Sequence, residues 1–424
     1  MMDDIRRKLA ECHTAMPDIL MPEKGADMEK WAVIACDQYT SEPAYWGRVE
    51  KHVGDRPSTL RCVLPEYRLG TGAETACIAN IHDTMKKYAS DGTLASIGEG
   101  FILVRRETQD GVRLGLLACI DLESYDFSPD SRSPIRPTEG TIRERIPPRL
   151  RVRDGAIFEL PHIMVLTDDP ENTLIEPLYE RRQEFQRLYG FELMMGGGRV
   201  EGWFIPGDMQ GAADITEALL KLKTKQEELR SDPILFAVGD GNHSLATGKT
   251  HYENLKAQGN IRPDHPARYA MVEIVNLHSG AMRFHPIHRA VFGDTTGLPQ
   301  FLKDSLRARL EAGGEGSPRL IIRNEDHAIR LPGGGAIDAI RQLEQALNEY
   351  AGQTPGVRID YVHGEEALSG MAKRGDCAAV LMPKVEKEEL FPYVEAHGPL
   401  PRKAFSIGHA DDKRFYFEAR KVTD

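Results

Sequence analysis

Little in this sequence could build a metal ribbon or a disulfide scaffold. Six cysteines (Cys12, Cys36, Cys62, Cys77, Cys119 and Cys377) are scattered through 424 residues, and no two form a Cys-x-x-Cys pair. Free thiols in a reducing compartment are the expectation. No window reaches the roughly 18 consecutive apolar residues of a membrane-spanning helix, so no membrane partner is expected. The opening stretch MMDDIRRKLAECHTAMPDIL lacks the apolar run of a secretory leader, which predicts a cytoplasmic protein. Positive charge is not in excess either. Lys and Arg number 54 against 65 Asp and Glu, a formal net charge of −11. That argues against nucleic acid as a partner, because such binding rests on clustered cations. A small anionic ligand in a local basic pocket remains compatible with this charge. There is no internal repeat and no low-complexity tract.

What is present reads as a mixed α/β or α+β chain. Apolar residues are 41% and charged residues 28%, enough for a sizeable core. Strand-like runs are expected at 29–36, 161–166, 234–238, 268–277 and 378–383. Helical spacing is expected from Pro43 onward, and over 76–95, 170–190, 212–230, 296–311 and 336–350. Asp110-Gly111 between two apolar runs predicts a hairpin. Residues 127–155 carry five prolines and many arginines, without a regular period. They read as either an ordered functional loop or a surface linker. The expected organisation is an α/β core over 1–290 and a smaller α+β region over 291–424. Whether residues 1–125 share the core's sheet is left open by the pattern alone.

The most concentrated chemistry lies in FAVGDGNHSLATGKTH, residues 236–251. A short apolar strand runs into Gly239-Asp240-Gly241-Asn242-His243-Ser244, and a helical pattern begins at once. Leu245, Gly248, Tyr252 and Leu255 would share one face of that helix. The two glycines permit positive φ or close approach of a ligand to the backbone. The first turn of a helix offers unpaired N–H groups and the positive end of a dipole, which suits phosphate or carboxylate. Asp240 could hold a metal, orient His243 or accept a proton. The competing reading is a plain cap, with Asp240 or Asn242 on the helix end and His243 in solvent. Gly248-Lys249-Thr250 resembles the end of a P-loop, but His243 stands where that motif needs glycine, and the triplet falls inside the helix.

The turn resembles the Asp-Gly-His-His-Arg motif of the DUF1015 family, with Asn242 and Ser244 in place of the first His and the Arg. RPTEGTIRER at 136–145, HPIHRAV at 285–291, DYVHGEEAL at 360–368 and LPRKAFSI at 400–407 resemble further blocks of that family, in its order. The pattern is that of a divergent subfamily. The Asp-Gly-x-His turn is also similar to the helix mouth of the ParB/sulfiredoxin-like fold, a group that includes free serine kinases. The resemblance implies a ParB/sulfiredoxin-like nucleotide-binding core elaborated with further sheet and helices. It also implies a phosphoryl group and a small hydroxy amino acid, with ATP or ADP as co-substrate and Mg²⁺.

Phosphoryl transfer needs anion binding, charge neutralisation, a positioned nucleophile and a base. Gly239, Gly241, Asn242 and Ser244 are the candidate phosphate cradle. Arg143, Arg145 and Arg149 are candidates to neutralise charge, since guanidinium forks suit phosphate oxygens. Glu139, Asp240 and His243 are the candidate catalytic groups, and Glu139 and Asp240 the candidate Mg²⁺ ligands. The competing reading pairs Glu139 with Arg143 on a solvated surface. Arg289 and Arg402 are weaker anion-binding candidates, and Arg289 would as readily bond a strand end. Gly196-Gly197-Gly198-Arg199 could wrap an anion. His162, before an apolar run, is expected to be a satisfied core histidine. The expected activity is a serine kinase-like phosphotransferase. Alternatives are a phosphoserine phosphatase, a metal hydrolase using His243, His285 and His288, and a nucleotide-binding protein without turnover.

Overall fold

The computed structural model of the chain describes residues 1–424 apart from 260, 314–317 and 324. The chain forms two compact units, Met1–Met282 with Gly408–Asp424, and Arg283–Ile407. The boundary falls slightly before the 290/291 division read from the sequence, and the C-terminal tail returns to the first unit.

The first unit is built on a ten-stranded sheet. Its main path runs Ile135–Pro137, Phe236–Asp240, Met164–Thr167, Tyr269–Asn276, Gly111–Asp121, Leu94–Thr108, Arg199–Pro206, Gln186–Glu192. Two pairings are parallel, Phe236–Asp240 with Ile135–Pro137 and Tyr269–Asn276 with Met164–Thr167. The Asp110-Gly111 hairpin forms as expected and lies mid-sheet, so the first 125 residues do share the core's sheet. Its strands are apolar on consecutive residues because both faces are covered. Phe101 and Leu103 face a layer with Ile215, Leu219 and Leu245. Ile102 and Val104 face a layer with Trp31, Trp46, Tyr88 and Phe417.

The second unit is a seven-stranded sheet of antiparallel pairs, ordered Arg309–Ala312, Glu325–Arg330, Arg319–Ile322, Ala378–Leu381, Phe284–Phe292, Arg358–His363, with Phe405–Ile407 also on Phe284–Phe292. Ala290, Ile321, Leu368, Ala372 and Ala379 form one of its cores. Helices include Ala336–Gln353 and Leu298–Leu306. The latter stops short of the expected 311, at Arg307 with φ 52°.

Three local expectations change. Within 29–36 only Val33–Ile34 is a strand, because Asp27 caps a helical turn at Met28–Trp31. The helix expected over 170–190 is confined to Glu176–Glu180. Gln186–Glu192 pairs instead with Arg199–Pro206, burying Tyr189. Its apolar residues suit either period, and the waiting partner strand decides. In the proline-rich stretch, Ile146–Arg153 is a helix, with Pro147 and Pro148 in its first turn where N–H groups go unbonded anyway. All six cysteines are free, and no described helix is long and apolar enough to cross a membrane.

Candidate functional site

The strand Phe236–Asp240 delivers the turn. Between its pairs with Val165 and Met164 the register shifts, which leaves Gly239 as the extra residue of a bulge. Gly241 follows at φ 77°, and a Cβ there would stand 3.0 Å from Ile163 Cγ1. Glycine is thus required twice over, by conformation and by space. The helix Asn242–Ala257 starts at once and packs on Ile146–Arg153. Leu245, Gly248 and Tyr252 are buried on its inner face, as their spacing predicts, with Leu255 half-buried.

No side chain caps this helix. Asp240 Oδ1 accepts from the adjacent Gly241 N–H at 3.0 Å, so it does not serve as the cap. Asn242 is only 7% exposed, and its Oδ1 is buried without a hydrogen-bond partner. A lone buried carbonyl oxygen of this kind costs about 1–3 kcal/mol. His243 is half-buried, and its Nε2 accepts from Ile142 N–H at 3.2 Å, not from solvent alone. It thereby ties the Arg-rich loop to the helix mouth. The P-loop likeness is dismissed by geometry. Lys249 pairs with Glu253 one turn on, and Thr250 Oγ1 bonds Ala246 O, both within the helix.

The parallel neighbour Ile135–Pro137 ends at the same edge. Thr138 locks this edge, donating from its N–H and its Oγ1 to Val238 O at 3.3 and 2.7 Å. Pro137 pairs with Val238, Glu139 comes two residues after the one, and Asp240 comes two residues after the other, beyond the Gly239 bulge. The crevice beyond the carboxyl ends of such strands is where open α/β sheets bind ligands.

Two groups reach the site from far along the chain. Lys413 Nζ lies 3.4 Å from Asp240 Oδ2, with the lysine 9% exposed. Its segment is clamped by buried arginines. Arg106 donates to the carbonyls of Gly197, Asp411 and Lys413, and Arg113 to that of Asp412. Arg414 pairs with Glu273 and Glu418. Burial, with help from Arg113, brings the Arg106 guanidinium down to about 9, yet the carbonyls hold it in place. Asp37 is the second arrival. Burial pushes its carboxyl up, but His162, the Gln38 hydrogen bond and Lys413 more than compensate and hold it below the usual range. His162 is 8% exposed, and its Nε2 lies 2.9 Å from Ser244 Oγ, with Tyr416 edge-on to the ring. It is a buried, partnered histidine, as expected, and it is also part of the helix mouth.

Beside the mouth lies a cavity of about 160 Å³. Leu64, Leu69, Met85, Phe158 and Leu160 make its walls mostly apolar, and His162, Ser244 and Thr247 open onto it. Arg149 belongs here, paired with Glu66 and bonded to Arg145 O. Its guanidinium is therefore committed to a carboxylate. Burial raises the Glu66 carboxyl, with Arg149 opposing. Cys36, under the Tyr416 hydroxyl, is pushed up to about 12 by burial, which makes it a poor nucleophile. Arg143 and Arg145 are exposed on the loop.

The remaining candidates sit elsewhere. Arg289 and Arg402 lie in the second unit. Arg289 is fully buried, with its guanidinium on Glu344 and on the carbonyls of Ile287, Arg402 and Lys403. Its guanidinium is committed to the Glu344 carboxylate, a strand and a loop end of the same unit. Arg402 lies exposed near the Tyr361 ring. His288 is buried and its Nδ1 accepts from Met382 N–H, so that nitrogen is lost to a metal. Gly196 and Gly198 adopt positive φ, but Gly197 O is taken by Arg106 and Arg199 pairs with Glu192. Asp37 and Lys413 had no local signal in the sequence. ACDQYTSEPAYW and DDKRFYFEARK are polar and aromatic stretches that only the fold turns inward.

No curated protein matches the sequence. Among solved structures the chain is similar to a free serine kinase in complex with AMP, at 13% identity and a TM-score of 0.38, covering 72% of this chain and 92% of that one. It is similar to a conserved hypothetical protein from Pyrococcus furiosus, at 14% identity and a TM-score of 0.35, covering 72% and 95%. SbnI with C-terminal truncation from Staphylococcus aureus gives 10% identity and a TM-score of 0.35, covering 69% and 82%. Residues 20–369 match the family described as Protein of unknown function (DUF1015). A match over most of the sequence, holding the turn, the loop and the strands that carry them, makes this chain a member of the DUF1015 family.

Proposed function

We propose that this chain is a phosphoryl-transfer enzyme whose ligand is an anion seated on the mouth of the helix Asn242–Ala257. The observation that carries the reading is the uncapped helix start with the buried, unpartnered Asn242 oxygen beside it. A native fold keeps such a group unsatisfied at a cost, which a donor on the co-substrate, such as the hydroxyl or ammonium of a small amino acid, offsets while the anion itself takes the helix N–H groups. The family resemblance adds a ParB/sulfiredoxin-like nucleotide-binding core, with ATP or ADP as donor and serine or a similar small hydroxy amino acid as acceptor.

The N–H groups of Asn242, His243 and Ser244 hold phosphate oxygens at the positive end of the helix dipole. Lys413 and the exposed Arg145 supply cationic charge around them. His243 fixes the loop that carries Glu139 through the Ile142 N–H, which supports a role for that carboxylate at the turn. Glu139 takes the proton of the acceptor hydroxyl. Asp240 is a hard oxygen donor and would hold a magnesium ion, which when bound supplies charge neutralisation at the phosphate oxygens.

The test is phosphorus NMR on two mixtures, one of protein, Mg²⁺, serine and ATP or ADP, the other of protein, Mg²⁺ and phosphoserine. Phosphoserine formed in the first, and lost in the Asp240→Ala/His243→Ala variant, supports the kinase. Free phosphate from the second alone favours the phosphatase direction. No turnover in either mixture sinks the serine reading.

A further inference from the structure

Ser244 is one of this chain's two departures from its family's motif, and the structure sets an imidazole against it. Ser244 Oγ and His162 Nε2 are 2.9 Å apart. That is hydrogen-bond reach for a hydroxyl and the group that would take its proton. The imidazole is buried and braced by the edge-on Tyr416 ring. Ser244 is half-buried and opens onto the apolar cavity, as does His162. It also stands in the first turn of the helix, beside the N–H groups that hold a phosphoryl group in the reading above.

We propose that Ser244 is a nucleophile that takes a phosphoryl group covalently, with His162 as its base. The inference rests on the phosphoryl-transfer reading for its donor, a nucleoside triphosphate or diphosphate. In the step, Ser244 Oγ forms a bond to the terminal phosphorus, and the bond from that phosphorus to the bridging oxygen breaks. The electron pair leaves with the shortened nucleotide, and the hydroxyl proton passes to His162 Nε2. In the return step an acceptor hydroxyl attacks the phosphorus and gives its proton to Glu139. The P–Oγ bond breaks, and the imidazolium returns its proton to Oγ. Asp37 is a positioning residue. Its negative charge beside His162 favours the imidazolium formed midway.

A fluorophosphonate carrying a short alkyl chain tests the nucleophile without a nucleotide. Attack by Oγ forms the P–O bond, expels fluoride and leaves the proton on His162, and the alkyl chain suits the apolar cavity. Peptide mass spectrometry is expected to place the adduct on Ser244. Labelling in His162→Gln is expected to slow by roughly a hundredfold or more, the usual worth of a positioned base. Asp37→Asn is expected to slow it less, and Asp37→Glu to restore it, a rescue that a purely structural aspartate would not give. Thermal melts on each variant report folding separately. An adduct on another residue, no adduct, or labelling of a folded His162→Gln at the wild-type rate overturns the inference. Nucleotide binding by the wild-type protein is measured by calorimetry in parallel. Binding without a Ser244 adduct overturns this inference and leaves the phosphate cradle standing. A Ser244 adduct without nucleotide binding supports the nucleophile and overturns the cradle.

Discussion

Lys413 Nζ stands 3.4 Å from Asp240 Oδ2 and joins the strand that carries the turn to a segment near the far end of the chain. The pair places a cation against a carboxylate that would otherwise repel an anion at the helix mouth. In Lys413→Met the carboxylate keeps its charge and loses this partner. Affinity for ADP or inorganic phosphate, measured by calorimetry, is expected to fall roughly tenfold or more. Lys413→Arg is expected to keep most of it. Equal affinity in Lys413→Met would remove the lysine from the site.

Asn242 gives a prediction of opposite sign for stability and binding. Its buried oxygen is unpartnered in the free protein, so Asn242→Leu removes an unsatisfied group of similar volume. Urea denaturation is expected to show stability unchanged, or raised by about 1 kcal/mol, while binding of the small amino acid, whose donor would meet that oxygen, is weakened. A marked loss of stability would show that the carboxamide serves the fold and not a ligand.

Gly241 is held at φ 77° with Ile163 Cγ1 3.0 Å from where a Cβ would be. Gly241→Ala is expected to cost about 1–3 kcal/mol and lower Tm. Gly140, an exposed loop glycine with open space around it, is the control. Its alanine variant is expected to melt like the wild type. Equal melting of both variants would refute the strain at 241.

In the second unit, burial, with Arg289 and His363 adding to it, brings the His288 imidazole down to about 4 from 6.5. A depressed histidine contributes most above the unfolded value, and loses that contribution as pH falls from about 6.5 toward 4, where the unfolded chain binds the proton first. Between pH 7 and pH 4 the loss is about 3 kcal/mol. His288→Asn keeps an acceptor for the Met382 N–H and removes the titration. Chemical denaturation at both pH values is expected to show the smaller pH-dependent loss in the variant, and the same slope in both proteins would exclude His288 as its source.

The turn was legible because its determinants are local. An apolar strand, a glycine able to adopt positive φ and a helical apolar face lie within sixteen residues, and each constrains the next. The hairpin at Asp110-Gly111 and the helices Glu74–Ser90 and Gln210–Leu229 were legible for the same reason. The stretch 186–192 was not, since its choice between helix and strand waited on a partner strand. Arg149 and Arg289 carry the chemistry of anion binders, and only Glu66 and Glu344, packed against them from elsewhere, show what they bind instead.

The sequence by itself determined the mixed α/β character, the family, and the shape of the strand–turn–helix at 236–257, because backbone conformation there follows from neighbouring residues. Tertiary structure decided which groups surround that turn. Asp37, His162 and Lys413 come from three separate segments, and their place is set by sheet order and by buried ion pairs such as Arg414 with Glu273. Contacts of that kind depend on closure of long loops around a packed core, and they leave no period or spacing in the chain.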